Sequence, residues 1–568
     1  MPRFAALDVG SNALRLRVVE AEAPNTGLSQ LTLIPRDGEV TTGWREIVSL
    51  RAPVRLGSEV FISGKLTPTS IGQACTALRE FRAAMDAAKV DAYRATATSA
   101  VREASNGATL IERSRRETGI ELEMIEGVEE ARLVQLAVMR RLALHDKRAL
   151  LIDVGGGSTE VTVLERGQSA FSISLPIGTV RLIETFLKGA GAVSLEQAHL
   201  VGEMIDRALV EAAPHLRPPF DIVVGTGGNI DTLAELCPGQ LPMTGAGPGV
   251  GAIDVASMRS LFAKLALLTA AERRDRHGLR PDRADTIIPA CAILQRMAEV
   301  AHASVIVAPG VGLKDGILEE LVDKHFHVWD TAREAQSVID ACLRLGRRYA
   351  FDEAHGARVA GFAGTLFDDM QKVHAFGDRE RLLLRAAAIL HDIGDFVRYD
   401  GHHKHSYYLI QHSDIMGLSP EERGIVANIA RYHRKSPPDP SHPNFRELDK
   451  EARGKVRALA AILRIADALD REHRGKVDAV RGVVERSKGR LFLFLQGDGE
   501  RELEEWTVRA KSELLRDVFD LDIVLASAPS PAQPAPLTPP AEPQSTPPPT
   551  NPPPQSSSGS TKTTRGVA

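Results

Sequence analysis

Two short segments join an aspartate to a run of small residues: Ala6-Leu-Asp-Val-Gly-Ser-Asn12 and, 145 residues further on, Leu151-Ile-Asp-Val-Gly-Gly-Gly-Ser-Thr159. Each follows an apolar run of strand character and precedes another, at 14–19 and 161–164. Tight glycine-containing turns leave backbone N–H groups free to meet anionic oxygens, while the carboxylate beside them can hold a cation. That is the chemistry of phosphate handling. A single copy reads equally well as an ordinary β-turn capped by its Asp, so the repetition carries the signal and implies two related lobes facing each other. Two further loops, Val224-Gly-Thr-Gly-Gly-Asn229 and Val307-Ala-Pro-Gly-Val-Gly-Leu-Lys-Asp-Gly316, run from a strand into a helix. In that setting free N–H groups and the helix dipole attract phosphate. On residue type alone, Glu129, Glu130 and Arg132 read as a solvated helical face.

The elements that must position these groups change along the chain. Residues 1–325 alternate β-rich runs with amphipathic helical runs, the pattern of an α/β architecture. The pattern turns nearly all-helical after residue 327, and residues 477–526 mix short strands and helices as a small α/β appendage of no readable function. Residues 527–568 hold 13 of the 33 prolines with almost no large apolar side chains, which predicts a disordered, partly polyproline-II tail. A chain of 568 residues, 43% hydrophobic and 25% charged, has room for three or four domains. No stretch reaches the roughly 18–20 apolar residues of a membrane span, and an acid arrives at Asp8, too early for a signal peptide. A cytoplasmic protein with no membrane partner is expected. Four distant cysteines suggest neither a disulfide framework nor a Cys-type zinc site. A net charge of −4 argues against broad nucleic-acid coating but leaves room for a local basic groove.

Five ordered motifs make the reading specific: Asp8-Val-Gly-Ser-Asn12, Thr98-Ser-Ala-Val-Arg-Glu-Ala-Ser-Asn106, Ile125-Glu-Gly-Val-Glu-Glu-Ala-Arg-Leu133, Asp153-Val-Gly-Gly-Gly-Ser-Thr-Glu160 and Leu175-Pro-Ile-Gly-Thr-Val-Arg181. Together they resemble the exopolyphosphatase / guanosine pentaphosphate phosphatase family. The resemblance implies an actin-like (acetate-and-sugar-kinase/Hsp70/actin) two-lobed ATPase fold, with lobes at 1–130 and 131–326. It also implies hydrolysis of terminal phosphoanhydrides of polyphosphate or guanosine pentaphosphate, Mg²⁺ in the cleft and a homodimer. On the same ground Glu130 would be the base or water-positioning carboxylate, with Glu129 a neighbour of less certain role and Arg102 a phosphate clamp. Asp8 and Asp153 would hold Mg²⁺, with Glu160 in the same cluster. Ser11, Asn12, Gly155, Gly156, Gly157 and Ser158 would cradle the terminal phosphates, with Gly227 and Gly228 as further phosphate contacts.

Residues 327–476 resemble an all-α HD-type metal phosphohydrolase domain through His355, His391-Asp392 and Asp467. His405 and His433 stand where some HD proteins add ligands for a second metal, so Mn²⁺, Fe²⁺ or another divalent ion is implied there. Taken singly, each His reads as a core or surface residue. A channel wall or dimer element ranks before independent hydrolysis for this region, and basic residues such as Arg347, Arg348, Arg431, Arg434 and Lys435 could line such a channel. Two other readings stay open: a nucleotide phosphohydrolase working through the helical region, and a non-hydrolytic actin-fold nucleotide switch whose Pro-rich tail recruits partners.

Overall fold

The computed structural model describes residues 1–21, 44–187, 191–242, 249–326, 331–497 and 500–526. The first sheet holds β1 (Arg3–Val9), β2 (Leu14–Ala21), β3 (Trp44–Ala52), β4 (Ala92–Ala97) and β5 (Leu122–Met124), in the order β3-β2-β1-β4-β5. β1 pairs antiparallel with β2 and parallel with β4, and β4 pairs parallel with β5. The second sheet holds β6 (Arg148–Val154), β7 (Thr159–Glu165), β8 (Gln168–Leu175), β9 (Ile222–Gly227), β10 (Gly251–Asp254) and β11 (Val305–Ala308). Its order is β8-β7-β6-β9-β11 with β10 added at the edge, again an antiparallel meander followed by parallel neighbours. The same five-strand topology thus occurs twice, which is the two-lobed actin-like architecture the motifs imply. β1 and β6 are buried along nearly their whole length, as expected of central strands covered on both faces.

The duplicated topology puts the two aspartates at equivalent register positions. Asp8 on β1 lies opposite Arg15 on β2, and Asp153 on β6 lies opposite Glu160 on β7.

The lobe junction lies elsewhere than between residues 130 and 131, because the helix Gly127–Arg141 runs through that point unbroken. Each lobe has its own apolar core, and a third cluster joins them: Phe4 and Ala6 of the first sheet, Leu151 and Val224 of the second, and Leu133 and Ile317 of the helices Gly127–Arg141 and Leu313–His325.

Beyond these lobes come the helices Thr331–Arg348, Glu353–Asp369, Asp378–Leu390, His402–Gln411, Pro420–Arg431 and Lys450–Ala468. A three-stranded sheet follows: β12 (Ala479–Glu485), β13 (Arg490–Gln496) and β14 (Asp522–Ala526), ordered β12-β13-β14. The segment 477–526 is not a separate appendage. Its Leu491, Leu493, Val508 and Leu515 belong to one buried core with Leu459, Leu463, Phe367 and Ile389 of the helices, and the Gly482 N–H donates to Asp369 Oδ2 at 2.6 Å. The domain boundary expected near residue 327 and the Pro-rich tail at 527–568 lie outside the described residues. Among the described residues no helix is long and apolar enough to cross a membrane.

Candidate functional site

Strand register builds the cleft site. Across β8, β7, β6 and β9 one row reads Ser174, Glu160, Asp153, Thr226. Ser174 Oγ donates to Glu160 Oε1 at 2.8 Å and Thr226 Oγ1 to Asp153 Oδ1 at 2.7 Å, so each acid is held by its cross-strand neighbour. Glu130 reaches this row from the first turn of the helix Gly127–Arg141, which begins at a glycine because a Cβ there would fall 2.4 Å from the Ser174 Cβ. One oxygen each of Glu130, Asp153 and Glu160 lies within 4.8 Å of the other two.

All three acids are buried, and the energetics of that arrangement call for a cation. Burial, then the charges of Glu160 and Asp153, push the Glu130 carboxyl well above the usual carboxylate range, with Arg102 pulling the other way. Burial and Asp153 push Glu160 up to about 7 against hydrogen bonds from Ser158 and Ser174. Burial also raises Asp153, offset by its bond from Thr226. Glu130 Oε2 and Glu160 Oε2 are buried without a hydrogen-bond partner, and unpaired buried carboxylates are among the costliest groups a fold can carry. A hard divalent ion bound through oxygen satisfies them.

The equivalent row in the other lobe is of opposite character. It reads Arg51, Arg15, Asp8, Thr96 across β3, β2, β1 and β4. Asp8, expected to share the metal, lies outside the trio: its Oδ2 accepts from Arg15 Nη1 at 2.9 Å, and this guanidinium already neutralises it.

The predicted phosphate loops meet where the lobes face. Gly156 has no room for a side chain, since a Cβ would lie 2.9 Å from the Ser11 Cβ of the other hairpin. Ser11 Oγ pairs with Ser99 Oγ at 2.9 Å, and Asn12 Oδ1 accepts from Arg55 Nε at 2.9 Å. The Gly155 N–H closes the tight turn onto the Ser158 carbonyl at 3.0 Å, and Ser158 is buried. Gly227 ends β9 beside Val154, and Gly228 follows it against the Arg283 guanidinium. Arg102 donates through Nη1 to the Ile125 carbonyl at 2.6 Å.

Glu129 is turned elsewhere. Arg132 donates to both its oxygens at 2.7 and 2.8 Å and Arg94 adds a third bond at 3.2 Å. Both arginines also hold Glu320, at 2.9 Å from Arg132 and 2.5 Å from Arg94. Consecutive residues of a helix point about 100° apart, and here Glu129 faces Arg132 and Arg94 while Glu130 faces Asp153 and Glu160.

In the helical domain His355, His391 and Asp467 come together as one group, and Asp392, His402 and His433 as another. His405 joins neither; His402 takes the place expected for it. Buried positions on the helix His402–Gln411 are 402, 403, 406 and 410, a helical stripe that leaves 405 off the packed face. Residues not singled out from sequence are therefore Arg15, Ser174, Thr226, Arg181 and His402. Of these, Arg15 alone lies within an Asp-Gly hairpin, where aligning the two hairpins would set it against Glu160. Arg181 lies within a recognised motif and donates to the Gly157 carbonyl at 2.7 Å.

An acidic row and a basic row thus lie on matching strands of two actin-like lobes, with a carboxylate trio in one that could hold a metal ion. Residues 37–325 match the model of the Ppx/GppA phosphatase family and residues 339–515 match domain III of Ppx/GppA phosphatases. The chain belongs to the Ppx/GppA phosphatase family, as its five motifs suggest. It is 24% identical over 443 residues to a guanosine-5'-triphosphate,3'-diphosphate pyrophosphatase of Photobacterium profundum, covering 76% of this chain and 81% of that one. It is 29% identical over 326 residues to exopolyphosphatase 1 of Mycobacterium leprae, covering 56% of this chain and 90% of that one. A solved exopolyphosphatase from Cytophaga hutchinsonii is 25% identical, covers 57% of this chain and 98% of its own, and superposes with a TM-score of 0.49.

Proposed function

We propose that the cleft between the lobes hydrolyses a terminal phosphoanhydride bond, with inorganic polyphosphate or guanosine pentaphosphate as substrate and Mg²⁺ as the metal. One observation carries the reading: Glu130 is buried beside two further carboxylates with an oxygen that no protein group satisfies. The relatives' names supply the two substrates.

An all-oxygen donor set suits Mg²⁺. Asp153 and Glu160 would hold the ion, which supplies neutralisation of charge on the transferring phosphoryl group. Glu130 orients the attacking water and accepts its proton through the free Oε2. The water oxygen forms the new bond to the terminal phosphorus, the bridging P–O bond breaks, and the shortened chain leaves with the bonding electrons as a phosphate anion. Such a leaving group needs no proton at neutral pH, so a single proton acceptor suffices. Arg102 and Arg15 meet phosphate oxygens through their planar forks. The facing turns around Ser11, Asn12 and Gly155–Ser158, with Gly227 and Gly228 beyond, keep the terminal phosphate at the seam between lobes.

Phosphate release from long-chain polyphosphate and from guanosine pentaphosphate, measured side by side on the full chain in Mg²⁺, tests this. The reading expects release from at least one that Glu130→Gln suppresses. Equal release by the parent and the variant on both substrates overturns it.

A further inference from the structure

Two helical glycines bear on where Glu130 stands. Gly127 opens the helix Gly127–Arg141 and Gly316 lies inside the helix Leu313–His325, and neither has a positive φ. Glycine weakens a helix wherever alanine would fit, so these bare positions call for neighbours that exclude a side chain. Both have one. A Cβ on Gly316 would fall 1.9 Å from the Leu133 carbonyl oxygen, and a Cβ on Gly127 would fall 2.4 Å from Ser174 Cβ and 2.5 Å from Ser174 Oγ. Gly202, on the helix Leu195–Leu209, is the contrast: open space lies where its Cβ would be.

Glu130 lies midway in sequence between Gly127 and Leu133, on the turn between the two contacts. The entrance to that turn is tied as well. The Ile125 N–H donates to the Ala97 carbonyl at 3.1 Å, and the Ile125 carbonyl accepts from Arg102 Nη1 at 2.6 Å. The helix start is therefore anchored to the first lobe at Ile125, meets the second sheet at Gly127 and touches the helix Leu313–His325 at Leu133. Held backbone to backbone at Leu133, it has no room to slide away from a side chain added at Gly127. Its first turn must tilt instead, and the tilt moves Glu130. Ser174 meets the site through two different atoms. Its Oγ donates to Glu160 Oε1 at 2.8 Å, while its Cβ is the surface against which Gly127 rests.

We infer, resting on the proposed role of Glu130 as proton acceptor, that Gly127 and Ser174 are positioning residues for the hydrolysis. The bare Cα of Gly127 against Ser174 Cβ sets how far Glu130 stands from Asp153 and Glu160, and Ser174 Oγ aims the Glu160 carboxylate. One serine on the edge strand β8 thus gauges both the base and a proposed metal ligand. Its two tasks separate by substitution. Ser174→Ala removes the hydroxyl and keeps the Cβ, whereas Ser174→Gly removes both.

Phosphate release by the full chain from long-chain polyphosphate and from guanosine pentaphosphate is measured in saturating Mg²⁺ for Gly127→Ala in the parent, Ser174→Ala and Ser174→Gly backgrounds, beside Glu130→Gln and Gly202→Ala. Gly127→Ala lowers kcat by roughly 10–100-fold and leaves KM within about threefold, as expected when a reacting group is misplaced by about 1 Å. The loss persists in the Ser174→Ala background and shrinks below about threefold in Ser174→Gly, where the obstructing Cβ is gone. Gly202→Ala matches the parent. A second readout needs no turnover: the Mg²⁺ concentration giving half of the full rise in melting temperature increases by roughly 10-fold in Ser174→Ala and stays within about threefold in Gly127→Ala. Parent kcat in Gly127→Ala, with release suppressed in Glu130→Gln, overturns the positioning role and leaves the cleft reading standing. Parent release by Glu130→Gln overturns both. An equal loss from Gly127→Ala in the Ser174→Gly and Ser174→Ala backgrounds overturns the steric contact as its cause, and an unmoved Mg²⁺ midpoint in Ser174→Ala overturns the aiming of Glu160. A circular-dichroism melt of Gly127→Ala that stays above the assay temperature keeps lost turnover apart from a lost fold.

Discussion

The two lobes present the same four-strand row at the same depth, yet one row is basic and the other acidic. In the first lobe it is Arg51, Arg15, Asp8, Thr96, and in the second Ser174, Glu160, Asp153, Thr226. The aspartate and the threonine beside it are common to both. What differs is the residue across the hairpin: an arginine that donates to Asp8 at 2.9 Å, or a second acid that adds to the charge on Asp153. One exchange in register separates a carboxylate paired with an arginine from one set among two further carboxylates. A duplicated fold can thereby offer one wall that favours phosphate oxygens and another that favours the metal bridging them.

The carboxylate proposed to take the water's proton belongs to neither row, and the sharpest test of the comparison lies outside both. Glu130 comes from the helix that joins the lobes. Glu130→Gln keeps shape and hydrogen-bonding capacity but cannot accept the water's proton. It should lower kcat by about 10²–10⁴-fold, the usual range for a lost general base, and leave KM within a few-fold. Single-turnover phosphate release with saturating substrate measures it. A variant with near-parent kcat would mean that the rows suffice without the helix.

The next effect separates the two aspartates. Asp153→Asn removes a proposed ligand, and the Mg²⁺ concentration for half-maximal turnover should rise by about 10–100-fold. Asp8→Asn, whose carboxylate already has its arginine, should shift it by less than about threefold. Equal shifts in Mg²⁺ titrations of the two variants would erase the distinction between the rows.

The rows also mark the limit of what the sequence discloses. Both Asp-Gly hairpins are legible because a hairpin is local: strand, turn and return lie within Arg3–Ala21 and Arg148–Glu165, and small residues announce the turn. The pairing of Ser174 with Glu160 and of Thr226 with Asp153 is not, because it depends on which strands become neighbours over separations of 14 and 73 residues. The different surroundings of Glu129 and Glu130 are hidden in the sequence for a helical reason. Adjacent charged residues look alike in sequence but face different neighbours, here Arg132 and Arg94 for one and the acidic row for the other. His402 and His405 present the same difficulty on another helix, and there the four-residue spacing to buried Ser406 and Ile410 is a readable signal.

A third, smaller effect follows from the acids being raised in pKa. In the metal-free chain Glu160 sits at about 7, above its ordinary value of 4.5. Between those values the folded state binds more protons than the unfolded one, so stability falls as pH rises through roughly 4.5–7. In EDTA the melting temperature should therefore fall as pH rises across that window, and Glu160→Gln should flatten this part of the profile. Mg²⁺ should flatten it too, by favouring the ionised trio. Scanning calorimetry at fixed ionic strength reads all three curves. A metal-free chain that gains stability across the window would contradict a trio of uncompensated buried acids.

The smallest effect distinguishes structure from chemistry within one turn of helix. Glu129 is partly exposed and lies in a network with Arg132, Arg94 and Glu320. Burial works against the charge on Glu320, but Arg132, Arg94 and Lys324 override it and hold the carboxyl down at about 2. The stability this network gives is fully present above the ordinary carboxylate pKa and is lost as pH falls from roughly 4.5 toward 2. Glu129→Gln removes one member while leaving Glu320 to hold both arginines, so kcat should stay within about twofold. The loss of stability near neutrality should be only about 1 kcal/mol, since the pair is partly solvated and Glu320 remains. Glu320→Gln takes away the shared partner and should cost more, and it should also flatten the acid limb between roughly pH 4.5 and 2. Denaturant midpoints at pH 7 and pH 3, measured beside kcat, test both variants. A tenfold loss of kcat in Glu129→Gln would move that residue from the scaffold into the reaction and undo the division between adjacent glutamates.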